Sequence, residues 1–285
     1  MQETSLSFVG RVRGSLADLP AKERRLADFV LDFPGDLASY TASELAALAD
    51  VSNATVSRFI RRLGYESYDE ARRHVRDEKE AGSPLFLSAA NPVAETTSLD
   101  NHLRQSQANL SATFAAISGE QVAEIAEGIA GARRVLVLGY RSNHAFAAYF
   151  RWQIIQVAEN TLAIPGAGET IGEYLAGIEA DDFIVAFGVR RRVRQLADVI
   201  SFGGRTGAKV LYITDRNSPA HPDATWTIQC ETAGPGPLDN HVAVMALCDV
   251  LASQVMHLKG LAGRKRLAAI EVAHDAIDEM AQRHR

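Results

Sequence analysis

The sequence is poor in cysteine, in long apolar runs and in metal-ligand spacings, and each shortage closes off a class of protein. Its two cysteines, Cys230 and Cys248, form no CxxC pair. That excludes a disulfide framework or a thiolate zinc site, and it fits buried free thiols in a reducing cytoplasm. The eight histidines are scattered, with no pair at ligand spacing beside a carboxylate, so no metal is expected. "GYRSNH", from Gly139 to His144, lacks the second and third glycines that let a backbone approach a pyrophosphate, and no cofactor is expected either. No apolar run approaches the roughly 20 residues of a membrane span. The start, "MQETSLSFVGRVRG", has no basic segment followed by a long apolar one, so no secretory signal is read there. There is also no internal repeat, and with a net charge of −5 there is no overall basic surplus. A local patch matters more to nucleic-acid binding than the total charge does.

What is present is ordinary for a soluble globular chain: 285 residues, 47% hydrophobic and 23% charged, long enough for two domains. Residues 1–80 read as helices. Pro20 opens one, with Leu26, Phe29 and Val30 at helical spacing, and Pro34 and Gly35 stop it. "TASELAALADV" follows, with Thr41 or Ser43 as N-cap and Leu45, Ala46, Leu48 and Ala49 on one face. In "VSNATVSRFIRRLG", Ser52 caps a helix, Val56, Phe59, Ile60 and Leu63 point inward, and Gly64 ends it. Ser67 and Glu70 then stand in capping-box spacing. Residues 81–119 are a Gly/Pro/Ser-rich linker to about 97 and a connecting helix from 98 to 117, and a further helix spans 120–131.

The pattern then changes. "RRVLVLG" at 133–139, "FIVAFG" at 183–188 and "AKVLYITD" at 208–215 are short apolar runs, with "NTLAIPG" and "TWTIQC" as weaker ones. Helical patterns at 142–158 and 190–203 lie between them, and 238–258 is a long, mostly apolar helix. Continuously apolar strands alternating with helices mean a parallel sheet covered on both faces; the resemblance described below places that domain over 120–260, with a C-terminal helix at 261–285.

The two short helices joined at Asp50-Val51-Ser52 form a helix-turn-helix pattern. In that motif the start of the second helix meets base edges and flanking groups hold phosphates. From Ser52 to Tyr65 there are three arginines and no acid. The candidate DNA contacts are Ser43, Ser52, Asn53, Thr55, Ser57, Arg58, Arg61 and Arg62, with Arg58 able to meet a guanine edge or a phosphate. The bland alternative is a capped helix with a solvated basic face. "TASELAALADVSNATVSRFIRRLGYESYDEARR", preceded by "LPAKERRLADFVLDFP", resembles the N-terminal helix-turn-helix of the RpiR family of bacterial transcription regulators over residues 5–80. That resemblance implies binding of double-stranded operator DNA.

RpiR-type regulators carry a SIS (sugar isomerase) domain behind the helix-turn-helix, and "GAKVLYITDRNSPAHPDA" is similar to that domain's fourth strand and following loop. The implied fold is an all-α helix-turn-helix domain followed by an α/β domain with a five-stranded parallel sheet flanked by helices. The implied ligand is a small anionic, sugar-like effector, bound where strand C-termini meet helix N-termini. The candidate contacts are Gly139, Arg141, Ser142, Asn143, Arg190, Arg191, Asp215 and Ser218, with Arg194 a further cation for an anion. Here the chain departs from the family's pattern. Arg141 stands where G-x-G-x-S has its second glycine, Asn143 stands where it has serine, and "GVRRRVR" replaces the hydroxyl-rich second loop. Those arginines serve an anion or pair with acids, within the chain or across a homodimer or homotetramer interface. Two rival readings stay open. One is a phosphosugar isomerase with Glu169, Glu173, His144 or His241 as base. The other is a DNA-binding protein whose SIS domain only assembles subunits.

Overall fold

The computed structural model describes residues 8–32, 37, 40–81, 98–190, 192–216, 218–235 and 238–279. The expected stop at Pro34-Gly35, most of the 81–97 linker and Arg191 lie outside the described residues. The chain forms two compact units, Met1–Gln107 with Ala233–Asn240, and Ala108–Thr232 with His241–Arg285.

The first unit is helical: α1 (Phe8–Ser15), α2 (Ala21–Asp32), α3 (Ala42–Leu48), α4 (Asn53–Arg62) and α5 (Tyr68–Ala81). Phe8, Leu26, Leu45, Phe59, Ile60 and Val75 share its core. Thr41 caps α3 in a full capping box: its hydroxyl accepts from the Glu44 N–H at 3.2 Å, and the Glu44 carboxylate accepts from the Thr41 N–H at 2.7 Å. Leu45, Ala46 and Ala49 are buried, but Leu48 is 51% exposed, which corrects the four-residue face expected above. At about 100° per residue, the three buried positions span a 100° arc and Leu48 falls some 60° outside it. Val56, Phe59, Ile60 and Leu63 all point inward, and Gly64 leaves α4 at φ 87°, the conformation that suits a glycine stop.

The second unit is an α/β sandwich. It begins in α6 (Leu99–Ala115), whose first half belongs to the other unit, and continues with α7 (Gly119–Gly131). Then come β1 (Val135–Gly139), α8 (Asn143–Ile155), β2 (Thr161–Ile164), α9 (Gly172–Leu175), β3 (Phe183–Gly188), α10 (Gln195–Arg205), β4 (Lys209–Asp215), β5 (Trp226–Cys230) and α11 (Val242–Ala276). Among the described residues the five strands make one parallel sheet in the order β2-β1-β3-β4-β5. Side chains alternate across it. Val135, Val137, Phe183, Val185, Leu211 and Ile213 join the core that holds α7, α8 and α11. Leu136, Leu138, Ile184, Ala186, Val210 and Tyr212 join the core under α10.

Two boundaries differ from the expected ones. The helix expected from 190 starts at Gln195, because Arg190 is in the left-handed region (φ 63°) and its N–H is held by Asp215. By length and composition α11 is apolar enough for a membrane span, unlike the runs read from the sequence. Its Val244, Leu247, Leu251 and Val255 are instead fully buried in the sheet core, and Gly260 (φ 47°) breaks the helix. At the opposite end of the sheet, Asp182 lies beneath Arg133 and Arg134, which donate to it at 2.8 and 2.9 Å and tie the start of β3 to the start of β1.

Candidate nucleic-acid interface and ligand loops

The turn between α3 and α4 is built by local bonds. The Val51 N–H donates to the Ala46 carbonyl at 2.9 Å, and Asp50 takes the left-handed conformation (φ 51°) that short polar side chains tolerate. Arg25 of α2 holds that turn by donating to the Asp50 carboxylate at 2.8 Å and to its carbonyl at 3.1 Å. Ser52 caps α4 by accepting from the Thr55 N–H at 3.2 Å. The Asn53 amide donates to the Ser43 hydroxyl at 3.2 Å, which joins the starts of α3 and α4.

Of the expected DNA contacts, Ser43, Ser52, Asn53, Ser57, Arg58 and Arg61 share exposed positions on this helix pair. Two others have different work. Thr55 is 1% exposed, its hydroxyl 3.0 Å from that of Ser52, so it belongs to the cap and does not face a groove. This corrects its assignment to base reading. Arg62 is exposed, but its Nε donates at 2.8 Å to the carboxylate of Glu23, which is 4% exposed. A cation that neutralises a buried acid is committed to α2 rather than to a phosphate. The face that remains open runs from Asn53 through Ser57 and Arg58 to Arg61, and α4 carries no acid.

In the second unit the sheet's direction of growth reverses between β1 and β3, so the loops after these strands flank its switch point. Gly139 ends β1 where a Cβ would lie 2.3 Å from the Asn143 carbonyl oxygen, so only glycine fits the close approach of α8. Arg141 takes φ 57° and is exposed beside Ser142. The backbone there takes a conformation that suits glycine, at the position where the expected G-x-G-x-S pattern would put its second glycine.

Asn143 is 2% exposed, and its side chain closes the switch point. Its Oδ1 accepts from the Val189 N–H at 2.9 Å, and its Nδ2 donates to the Val189 carbonyl at 3.2 Å. Asp215, 1% exposed, accepts from the Arg190 N–H at 2.6 Å and from the Arg192 guanidinium at 2.7 Å. Both residues were expected as ligand contacts; both are internal fasteners, Asn143 of the first loop to the second and Asp215 of the second to the end of β4. Ser218 is 5% exposed, with its hydroxyl 3.3 Å from that of Tyr212. It lines a cavity of about 380 Å³ on the α10 side of the β3–α10 loop, with Arg192, Arg194, Leu196, Tyr212 and His221.

The candidate bases for turnover are held otherwise. Glu169 accepts from the Gly166 N–H at 2.8 Å and from the Tyr174 hydroxyl. Glu173 is exposed, and hydrogen bonds from the Thr170 hydroxyl and from its own backbone hold its carboxyl below the usual range. His241 lies edge-on to Phe146, ring centroids 5.1 Å apart, and His144 is exposed.

Residues 8–82 match the family described as "Helix-turn-helix domain, rpiR family", and residues 128–254 match the SIS domain. The chain is 28% identical over 218 residues to the HTH-type transcriptional regulator YfhH of Escherichia coli (strain K12), covering 72% of this chain and 74% of that one. It is 22% identical over 275 residues to the HTH-type transcriptional regulator HexR of Pseudomonas aeruginosa, covering 93% and 94%. The chain belongs to the RpiR family.

This RpiR-type regulator also shares its fold with the Vibrio vulnificus NanR protein, solved in complex with ManNAc-6P. The TM-score is 0.56 at 20% identity, over 96% of this chain and 99% of that one. Motif reasoning missed Glu23, Arg25 and Val189, the partners that decide what Arg62, Asp50 and Asn143 do. No local spacing connects Arg62 to Glu23, 39 residues away, or Asn143 to Val189, 46 residues away. The one signal present for Asn143 was the departure from serine at its position.

Proposed function

We propose that this regulator binds operator DNA in the cytoplasm through the exposed face of α4, and that a small anionic sugar-derived effector bound by the SIS unit changes its affinity for that DNA. The observation that carries the reading is the α4 surface: neutral hydrogen-bonding side chains at its start, Arg58 and Arg61 behind them, and no acid. Asn53, Ser57 and Arg58 read base edges, while Ser43, Ser52 and Arg61 meet phosphates. Residues 1–80 serve as the DNA-binding domain and 120–260 as the effector domain, with 81–119 connecting them. Two copies act together, because one small helix-turn-helix meets few bases and a dimer or tetramer on a palindrome multiplies the contacts. The effector regulates by binding two states of the protein unequally.

Turnover is no part of this reading: Glu173, solvated and held ionised, is not poised near neutrality as a general base should be. A second reading, in which the SIS unit only assembles subunits, is favoured by the way Asn143 and Asp215 fill the switch point from within.

The test is binding of the purified protein to the DNA upstream of its own gene, at fixed salt, with and without a panel of sugar phosphates and sugar acids. The proposal expects specific binding that at least one of these shifts by about tenfold, the lower end of common coupling energies. Specific binding that none of them moves would favour the assembly reading, and no specific binding in any condition would reject the regulator assignment to this operator.

A further inference from the structure

We infer that the anionic group of the effector is received in the cavity between α10 and the β4–β5 loop, by Arg194 and His221, and not in the switch-point crevice. The inference rests on the effector reading above and gives it a place. At the crevice the protein's own groups are already engaged. Both polar backbone groups of Val189 are bonded to Asn143, and the Arg190 N–H and the Arg192 guanidinium are bonded to Asp215. A second anion there would face the buried Asp215 carboxylate and would have to displace it from its donors.

The cavity, whose wall Arg192 also reaches, adds a cation that is not engaged in this way. Its volume of about 380 Å³ falls in the range of small-ligand sites. Arg194 is exposed at its edge, with no hydrogen bond or ion pair to any described residue. His221 accepts the Asp223 N–H on Nδ1 at 3.2 Å, which leaves Nε2 as the ring nitrogen able to donate. The hydroxyls of Ser218 and Tyr212 supply further polar groups on the wall. Arg194 also occupies the N-cap position of α10, which has no side-chain cap, and Asp198, the acid of that first turn, does not line the cavity. The remaining wall, Leu196, Ile200, Pro219 and Ala220, is apolar and suits the C–H face of a small ring or chain. A cation, an imidazole donor and an apolar wall describe a site for a small organic phosphate or carboxylate.

Titration of the full-length protein with inorganic phosphate and with glucose 6-phosphate, at constant ionic strength and followed by calorimetry, tests this. Arg194→Ala and His221→Ala should each weaken phosphate binding by about tenfold, the size of a lost charge-assisted hydrogen bond. Arg205→Ala, which removes an exposed cation at the far end of α10, should leave it unchanged. Circular dichroism confirms that each variant is folded. Binding kept in Arg194→Ala and His221→Ala but lost in Arg141→Ala would overturn the location and leave the effector reading standing. No saturable binding of either probe by the unaltered protein would overturn the location, and with operator binding insensitive to the metabolite panel it would overturn the effector reading too.

Discussion

Asn143 shows how little a residue's type says about its task until its partners are known. At the end of a strand, in a loop expected to hold a ligand, an asparagine reads as a ligand contact. Buried against Val189, it satisfies two backbone groups that no other described residue is seen to bond. Removing it leaves a buried N–H and a buried carbonyl without partners, at a cost of roughly 1–3 kcal/mol each. Asn143→Ala should therefore lower unfolding stability by about 2–6 kcal/mol, measured by urea titration. Stability unchanged, with loss confined to effector binding, would return Asn143 to the ligand-contact role. Thr55 and Arg62 teach the same lesson in the first unit: each has the chemistry of a DNA contact, and each is held by the fold, one at the cap and one by Glu23.

Elements were legible in the sequence where burial is continuous and capping is local. The three strong apolar runs became β1, β3 and β4, and even the weaker runs became β2 and β5 at the sheet edges, where burial is partial. Thr41, Ser52 and Gly64 mark helix ends because their bonds stay within a few residues. The start of α10 was not legible, since it depends on Asp215 at the end of another strand. The same long-range logic governs the pairing of β1 with β3 through Asp182. Burial alone would raise its carboxyl, but the Glu179 N–H and the guanidinium groups of Arg133 and Arg134 hold it below its ordinary value of 3.8. A depressed folded-state pKa contributes stability above the unfolded value that is lost as pH falls through the folded one. Asp182→Asn should destabilise the protein by roughly 3 kcal/mol at neutral pH, discounting for the solvent on both arginines. The gap to the unaltered protein should stay level above about pH 5 and close on acidification below about pH 4. A gap independent of pH down to unfolding would mean that the carboxylate's charge plays no part.

At the scale of the whole molecule, an acidic chain presents a helix, α4, with arginines and no acid on its exposed face. The net charge of −5 belongs to the sum and not to that face. That segregation lets a protein that repels DNA on average bind it locally, with phosphates supplying affinity and base edges supplying choice. The division into a helical unit and a parallel-sheet unit was legible from the change in hydrophobic pattern near residue 133, because periodicity reports burial geometry directly. Which loop residues face a ligand was not, because that depends on bonds between loops far apart in the chain. The most direct test of the account compares operator DNA with unrelated DNA of equal length, at one salt concentration, for the unaltered protein and for Arg58→Ala. The account predicts that the ratio of specific to non-specific affinity falls by about 1–3 kcal/mol while non-specific binding changes far less. An unchanged ratio in a folded Arg58→Ala protein would contradict the assignment of α4 as the helix that reads sequence through Arg58.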